Sequence, residues 1–133
     1  MEFAKKARQY SPLVLAYIGD SVYEVYVRSR LLAEFPDLPA HKLHVLATAR
    51  VKAHAQSNSI RFLEPLFTEE ELAVYKRGRN AKSATVPKNA DLTDYRRATG
   101  FEAAVGYLYI QGDRERLEML MKQAYEHAAD EID

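Results

Sequence analysis

Two acidic residues in otherwise apolar stretches are the side chains of this sequence with the clearest potential for chemistry. Asp20 follows Gly19 inside the segment SPLVLAYIGDSVYEVYVRSRLL (11–32), and Glu102 lies in ATGFEAAVGYLY. Carboxylate oxygens are the ligands that hard divalent cations prefer, and a glycine beside one would let another helix or a substrate come close. From the residues alone a second interpretation stays open, in which Asp20 forms a structural ion pair with a Lys or Arg and Glu102 is solvated or salt-bridged.

The segment around Asp20 has the pattern of a long helix. Ser11 suits an N-cap and Pro12 the first helical turn. One face carries apolar residues at the helical period: Val14, Ile18, Val22, Val25 and Leu32. The other faces are hardly more polar, with Leu13, Leu15, Ala16, Tyr17, Tyr23 and Val27. A helix that is apolar nearly all round is predicted to lie in the middle of a domain.

The rest of the chain also has the pattern of helices, without a convincing alternating strand. Helices are predicted at about 3–10, 11–34, 40–59, 68–77, 92–110 and 114–129, with a capping box at Thr68 and a long polar loop at 78–91. The predicted fold class is therefore all-α, with about six to seven helices around the 11–34 helix.

Length and composition predict one small domain covering residues 1–133. The chain has 133 residues, of which 47% are hydrophobic, enough for one helical core. It contains no Cys, so neither a disulfide framework nor a Cys-based zinc site is possible. No apolar run approaches membrane-spanning length and the N-terminus lacks an apolar leader core, so we expect a cytoplasmic protein with no membrane partner.

The basic segment KRGRNAKS (76–83) is the best candidate for contact with a polyanion. Lys+Arg and Asp+Glu each number 19, so a nucleic-acid site must be a local patch. The candidates are Lys76, Arg77, Arg79, Asn80, Lys82 and Ser83, continued by Lys88. Point charges, forked guanidinium groups and small hydrogen-bonding side chains suit a phosphate backbone. The same charges would also suit a solvated helix C-terminus.

The run AYIGDSVYEVYVRSRLL resembles the signature helix of the ribonuclease III family. KRGRNAKS and FEAAVGYLY match the shorter Mini-III branch of that family in the same order. The resemblance implies the ribonuclease III catalytic fold, with Asp20 and Glu102 meeting at Mg²⁺ on crossing helices. It implies hydrolysis of double-stranded RNA to 5′-phosphate and 3′-hydroxyl ends by a homodimer, in maturation of the 23S ribosomal RNA precursor. It also favours RNA contact by the basic segment, and we expect Arg96 and Arg97 to help bind the RNA.

This sequence lacks several carboxylates that larger members of the family carry. Two further Glu positions are taken by Leu13 and Ala16, an Asp position by Thr99, and residues 39–49 contain no acidic residue. We interpret this reduced acidic centre as a property of the subtype. The rival hypotheses are a non-catalytic RNA-binding module with the same fold and, more remotely, a helical protein–protein adaptor.

Two further groups of ionisable residues are predicted to be structural. Glu24, one turn after Asp20, is expected to pair with Arg28. His41, His44 and His54 share one predicted helix, but no Asp, Glu or Cys completes a metal pattern around them, so we expect solvated or core-edge histidines.

Overall fold

The chain folds into helices joined by short turns, as the apolar spacing predicts. The computed structural model describes residues 1–82, 86, 88 and 91–132, with side chains to residue 128, and contains no β-strand within those ranges. The α-helices there are α1 (Pro12–Glu34), α2 (Ala40–Val51), α3 (Ala53–Leu63), α4 (Glu69–Asn80), α5 (Leu92–Gln111) and α6 (Arg114–Ile132). Two 3₁₀ turns span Ala7–Gln9 and Glu64–Leu66. The all-α class is confirmed.

Helix α5 occupies the centre of the fold. Between Ala98 and Leu108 every residue except Glu102 is buried, and helices α1, α3, α4 and α6 all pack against α5. The sequence pattern predicts the helix around Asp20 as the central one, whereas the structure gives that place to α5. Glu102 is therefore a half-buried carboxylate on the central helix.

Helices α1 and α5 cross in direct backbone contact at two glycines. A Cβ atom on Gly19 would overlap the carbonyl oxygen of Glu102, and one on Gly106 would overlap the carbonyl oxygen of Leu15. Only glycine fits at these two positions, so they fix how closely α1 approaches α5. The close approach predicted at Gly19 is confirmed, Gly106 makes the same kind of contact from α5, and together they set Asp20 beside Glu102.

The exposed face of α1 differs from the predicted one. The buried residues of α1 are Leu15, Ala16, Gly19, Tyr23, Val27 and Leu31. Val14, Val25 and Leu32 belong to the predicted apolar face, yet they are exposed, and so is Tyr17. The exposed apolar surface of α1 therefore comes from Val14, Tyr17, Val25 and Leu32, whereas Tyr23 and Val27 are buried. Periodicity could not distinguish two apolar faces, and the glycine contact with α5 decides between them.

Two predicted helices have different bounds in the structure. The expected helix at 40–59 is broken at Lys52, whose backbone is extended (φ −61°, ψ 152°), and α3 then turns to pack against α5 and α6. The segment contains no Gly or Pro, so the sequence carries no sign of the break. The expected leading helix at 3–10 is a single 3₁₀ turn in which only Ala7 is buried, because this segment offers no apolar stripe to pack.

Helix α4 begins as predicted and ends later. Thr68 and Glu71 form the expected capping box, with N–H···O distances of 2.9 and 3.2 Å. The helix continues through Gly78 to Asn80 because Gly78 is buried against Gly100 and Ala103 of α5. A glycine inside a helix costs about 1 kcal/mol relative to alanine, and this packing offsets it. The prediction that residues 78–80 lie in a loop is wrong.

Candidate active site and nucleic-acid interface

The α1–α5 crossing brings Asp20 and Glu102 together at one open cleft. The cleft has a volume of about 280 Å³ and is also lined by Tyr17 and Tyr95. Asp20 is exposed and Glu102 is half-buried, and their carboxyl groups lie within hydrogen-bonding range of each other. Two acidic side chains 82 positions apart in sequence thus share one solvent-accessible site.

Burial and charge both oppose ionisation of Glu102. Loss of solvation raises the pKa of this carboxyl to about 9, with the negative charge of Asp20 and the hydrogen bond to Asp20 acting in the same direction. The amide of Gln56 lowers the pKa in part, since it donates to Glu102. None of the ion pairs formed among the described residues includes Asp20 or Glu102, and the cleft is open to a cation from solvent.

The positions at which family carboxylates are missing line the same cleft. Leu13, Ala16 and Thr99 all contribute to its wall, and the Thr99 hydroxyl donates to the carbonyl oxygen of Tyr95 at 3.0 Å. The described residues contain no group of three or more His, Cys, Asp or Glu side chains arranged for a metal ion. Among the described residues, Asp20 and Glu102 are the two carboxylates that line this cleft.

The donor set of the cleft fits a divalent cation. Asp20 and Glu102 offer only hard oxygen ligands, and Mg²⁺ is commonly held by one or two carboxylates while it retains several waters. A cation there would also compensate the charge that burial makes unfavourable on Glu102. The ion pairs formed among the described residues do not include Asp20, so the alternative of a structural ion pair for Asp20 has no support.

Gln56 is a residue of this site that the sequence pattern did not single out. It lies on α3, is 2% exposed, and its Nε2 donates to Glu102 Oε2 at 3.4 Å. A glutamine in AHAQSNS carries no local signal of such a role. Only the packing of α3 on α5, across 46 positions of sequence, brings the amide to the carboxylate.

The other ionisable residues named from the sequence are either exposed to solvent or paired with another side chain. Glu24 pairs with Arg28 at 3.0 Å on the surface of α1, as predicted. His41 and His44 are exposed. His54 is also exposed, and its Nδ1 lies 2.8 Å from Asp94 Oδ2. Burial raises the pKa of Asp94, but the hydrogen bond from His54 and the nearby charges of His54 and Arg97 oppose it, with the neighbouring Ser57 hydroxyl acting in the same direction, and they hold the pKa below its usual value.

The candidate RNA-contacting residues lie mainly on the last turns of α4. Lys76, Arg77 and Asn80 are exposed on the helix, while Arg79 is half-buried, with its guanidinium 5.6 Å from the centre of the Tyr75 ring. Lys82 and Lys88 are exposed beyond the helix end. Ser83 lies outside the described residues. We call the set Lys76, Arg77, Arg79, Asn80, Lys82 and Lys88 the basic helix end.

The basic helix end is adjacent to the acidic cleft. Gly78 packs against the backbone of α5 at Thr99 and Gly100, and Thr99 also lines the cleft. The last turns of α4, which carry these cations, therefore pack beside the stretch of α5 that contributes Thr99 and Glu102 to the cleft.

Comparison with known proteins identifies the family to which the chain is similar. The model of the ribonuclease III domain matches residues 13–113. Mini-ribonuclease 3 of Clostridium tetani is 51% identical over 122 residues, which are 91% of this chain and 81% of that protein. Mini-ribonuclease 3 of Brevibacillus brevis is 47% identical over 124 residues, 93% of this chain and 92% of that protein.

A solved structure shows the same fold. A crystal structure of a protein from Fusobacterium nucleatum superposes with a TM-score of 0.80 at 29% sequence identity, covering 89% of this chain and 94% of that one. The chain belongs to the ribonuclease III family and, within it, to the group that contains the Mini-ribonuclease 3 proteins.

Membership of this family defines the class of activity. The protein is an endoribonuclease that acts on double-stranded RNA, and the ribonuclease III family generally depends on a divalent metal ion. None of the described helices combines the length and the apolar character needed to span a bilayer.

Proposed function

We propose that Asp20 and Glu102 form the catalytic centre of a single domain, residues 1–133, that hydrolyses double-stranded RNA with Mg²⁺. The observation that carries this proposal is the meeting of the two carboxylates in an open cleft beside the basic helix end. An acidic pair alone would repel RNA. Beside cations that can hold the phosphate backbone, it becomes a place where a metal ion and a phosphodiester can be bound together.

Each side chain of the centre has a role that follows from its position. Mg²⁺ held by the two carboxylates would supply an activated water and neutralise charge that develops on the phosphodiester. Asp20, being exposed, reaches toward the substrate side of the cleft, whereas Glu102 is half-buried on the central helix α5. The backbone contact at Gly19 keeps the two carboxylates at a constant separation.

The reaction assigned to this centre is direct hydrolysis. If both carboxylates hold the metal ion, neither is left to act as a nucleophile. Water would then attack phosphorus in line, the bond from phosphorus to the 3′ oxygen would break, and that oxygen would leave as a hydroxyl, so no covalent enzyme intermediate would form. The products carry 5′-phosphate and 3′-hydroxyl ends. The basic helix end binds the phosphate backbone of the RNA through charge and shape. A-form RNA exposes its phosphates and a shallow minor groove, whereas its major groove is too deep and narrow for side chains to contact the bases.

We extend the proposal to assembly and cellular role. One centre per chain cuts one strand, so a homodimer with two centres is the simplest arrangement for cutting a duplex. The exposed apolar face of α1 supplies surface for the contact. The family resemblance favours the 23S ribosomal RNA precursor as the substrate and the cytoplasm as the location.

The proposal is tested with purified protein and a labelled RNA duplex. Cleavage is expected with Mg²⁺ and is expected to stop with a chelator, while binding continues. Asp20→Asn and Glu102→Gln should each lower the cleavage rate by more than about 100-fold, because each removes a ligand needed in the transition state. Both variants should bind the duplex nearly as well as the unmodified protein.

Glu24→Gln is the matched control for these substitutions. It removes a carboxylate of α1 one turn from Asp20, but one that is paired with Arg28 on the surface, so cleavage should be retained. Full cleavage by Asp20→Asn, or cleavage that persists in chelator, would contradict the proposed centre. Duplex binding without cleavage under all conditions would favour the non-catalytic module.

A further inference from the structure

Gln56 occupies a buried position that hydrophobic packing does not explain. Its side chain is almost completely inaccessible, and its Oε1 has no hydrogen-bond partner among the described residues. An unpaired buried amide oxygen is destabilising, and an apolar side chain of the same volume would bury at lower cost. A glutamine here therefore points to a role for its polar atoms.

The amide of Gln56 is held in one orientation by the break between α2 and α3. Its Nε2 donates to the carbonyl oxygen of Val51 at 2.6 Å, one of the carbonyls left without a helical partner where α2 ends. Because that neighbour can only accept, the atom facing it must be the nitrogen rather than the oxygen. The second hydrogen of the same nitrogen is directed to Glu102 Oε2, 3.4 Å away.

From this geometry we infer that Gln56 is a positioning residue: its amide ties one carboxylate oxygen of Glu102 to the backbone of α2 and so aims the carboxylate at the divalent cation. The inference rests on the proposed function, since it assigns the cation site to Asp20 and Glu102. It adds a third helix to the site. Helices α1 and α5 supply the ligands, and α3 holds the orientation of one of them.

Orientation matters here because the ligand set is small. A centre with two carboxylates cannot rely on additional acidic neighbours to keep each oxygen in place. Groups that hydrogen-bond to metal ligands typically change metal affinity by about 10- to 100-fold when they are removed. The neutral amide is suited to this role, because a third carboxylate in its place would add negative charge beside Glu102, and a lysine would compete with the cation for it.

The test measures Mn²⁺ binding directly, by the loss of the free-ion electron paramagnetic resonance signal, without RNA. Gln56→Met keeps the length and volume of the side chain and removes both donors, and Gln56→Leu is a second variant of the same kind. Both should bind Mn²⁺ about 10-fold more weakly. Their thermal unfolding should shift little, because the Val51 carbonyl loses a donor while the unpaired buried Oε1 is also removed, and duplex affinity in chelator should be unchanged.

Ser59→Ala is the matched control for buried polar residues of α3. Ser59 is fully buried and donates to the carbonyl oxygens of Ala55 and Ala124 at 3.1 and 2.8 Å, remote from Glu102 in its contacts. Its substitution should leave Mn²⁺ affinity unchanged even if thermal stability falls. In cleavage assays, raising the Mg²⁺ concentration should restore the Gln56→Met rate, which a general loss of structure would not allow.

The outcomes separate this inference from the proposed function. If the unmodified protein fails to bind Mn²⁺, or Asp20→Asn binds it equally well, the cation site itself is misplaced and the inference falls with it. If Asp20→Asn loses Mn²⁺ while Gln56→Met and Gln56→Leu bind it like the unmodified protein, only the role of Gln56 is overturned. Equal weakening by Ser59→Ala would also overturn it, since the effect would then be a general one of α3.

Discussion

Glu102 lies at the point where the stability and the chemistry of this protein oppose each other. It projects from the central helix into a cleft, next to a second carboxyl group, and among the described residues the amide of Gln56 is the one side-chain donor within hydrogen-bonding distance of it. Without a counter-charge its ionised form is disfavoured, and its pKa is raised to about 9. A bound cation would therefore stabilise the acidic pair, because its charge would offset both the repulsion between the two carboxylates and the cost of burying the charge of Glu102.

The raised pKa of Glu102 predicts how the stability of the metal-free protein depends on pH. The ordinary value of 4.5 applies to the unfolded chain and about 9 to the folded one. Between these values the folded state holds one more proton, so the free energy of unfolding should decrease as pH rises from about 4.5 to about 9. Denaturant unfolding of Glu102→Gln in chelator should show a weaker decrease over that window. Identical pH profiles for the two proteins would refute the assignment.

Helix α4 shows how one element combines packing with binding. Its capped N-terminus and its buried Gly78 fix the helix against α5, and its last turns display cations beside the cleft. Cations near a helix C-terminus interact favourably with the helix dipole, so the helix tolerates this concentration of charge. From the sequence alone, the alternative role of these cations is to form a solvated helix C-terminus, and they do lie at a helix C-terminus. That position is compatible with the proposal that the same residues contact RNA.

Replacing Arg77, Arg79 and Lys82 together by Ala tests the basic helix end. Affinity for every duplex should fall, and the slope of log affinity against log salt should flatten by up to about 3 units, because three phosphate contacts are lost. Cleavage at saturating RNA should fall much less. The control is the triple replacement of Lys42, Arg114 and Lys122, exposed cations of α2 and α6. An equal effect of both sets would show that only net charge matters.

The whole molecule carries one feature that a lone chain does not explain. Helix α1, which supplies Asp20, keeps Val14, Tyr17, Val25 and Leu32 exposed. A monomer seldom leaves so many large apolar side chains along a single helix in contact with water. A two-fold contact through this face would cover them and would pair two catalytic centres, as the proposed cutting of both strands requires.

Val25→Glu tests the two-fold contact. Val25 is 65% exposed, so a charge there should leave the folded chain intact while opposing burial in an interface. Analytical ultracentrifugation should show a dimer for the unmodified protein and a monomer for the variant. Val45→Glu is the control, since Val45 on α2 is also 65% exposed. A monomeric unmodified protein that cleaves duplex RNA at the same concentration would refute the dimer.

The sequence alone determined the features that depend on residues close together in the chain, namely the helix caps and the helical segments. Ser11 and Thr68 accept the predicted capping hydrogen bonds, and the long apolar segments are helices as their period indicates. Asp20 and Glu102 were identified as an acidic pair through their resemblance to a family. The resemblance predicted that the two side chains meet, because members of a family share tertiary contacts. The hydrophobic period of a single segment contains no such information.

Only the tertiary structure decided what depends on distant segments. It made α5 the central helix, selected which apolar face of α1 is buried, and broke the 40–59 helix at Lys52. It also extended α4 through Gly78 and brought Gln56 to Glu102. The physical reason is common to all of these. Hydrophobic period and helix propensity act over a few residues, whereas close glycine crossings and buried amide contacts exist only once two helices have packed.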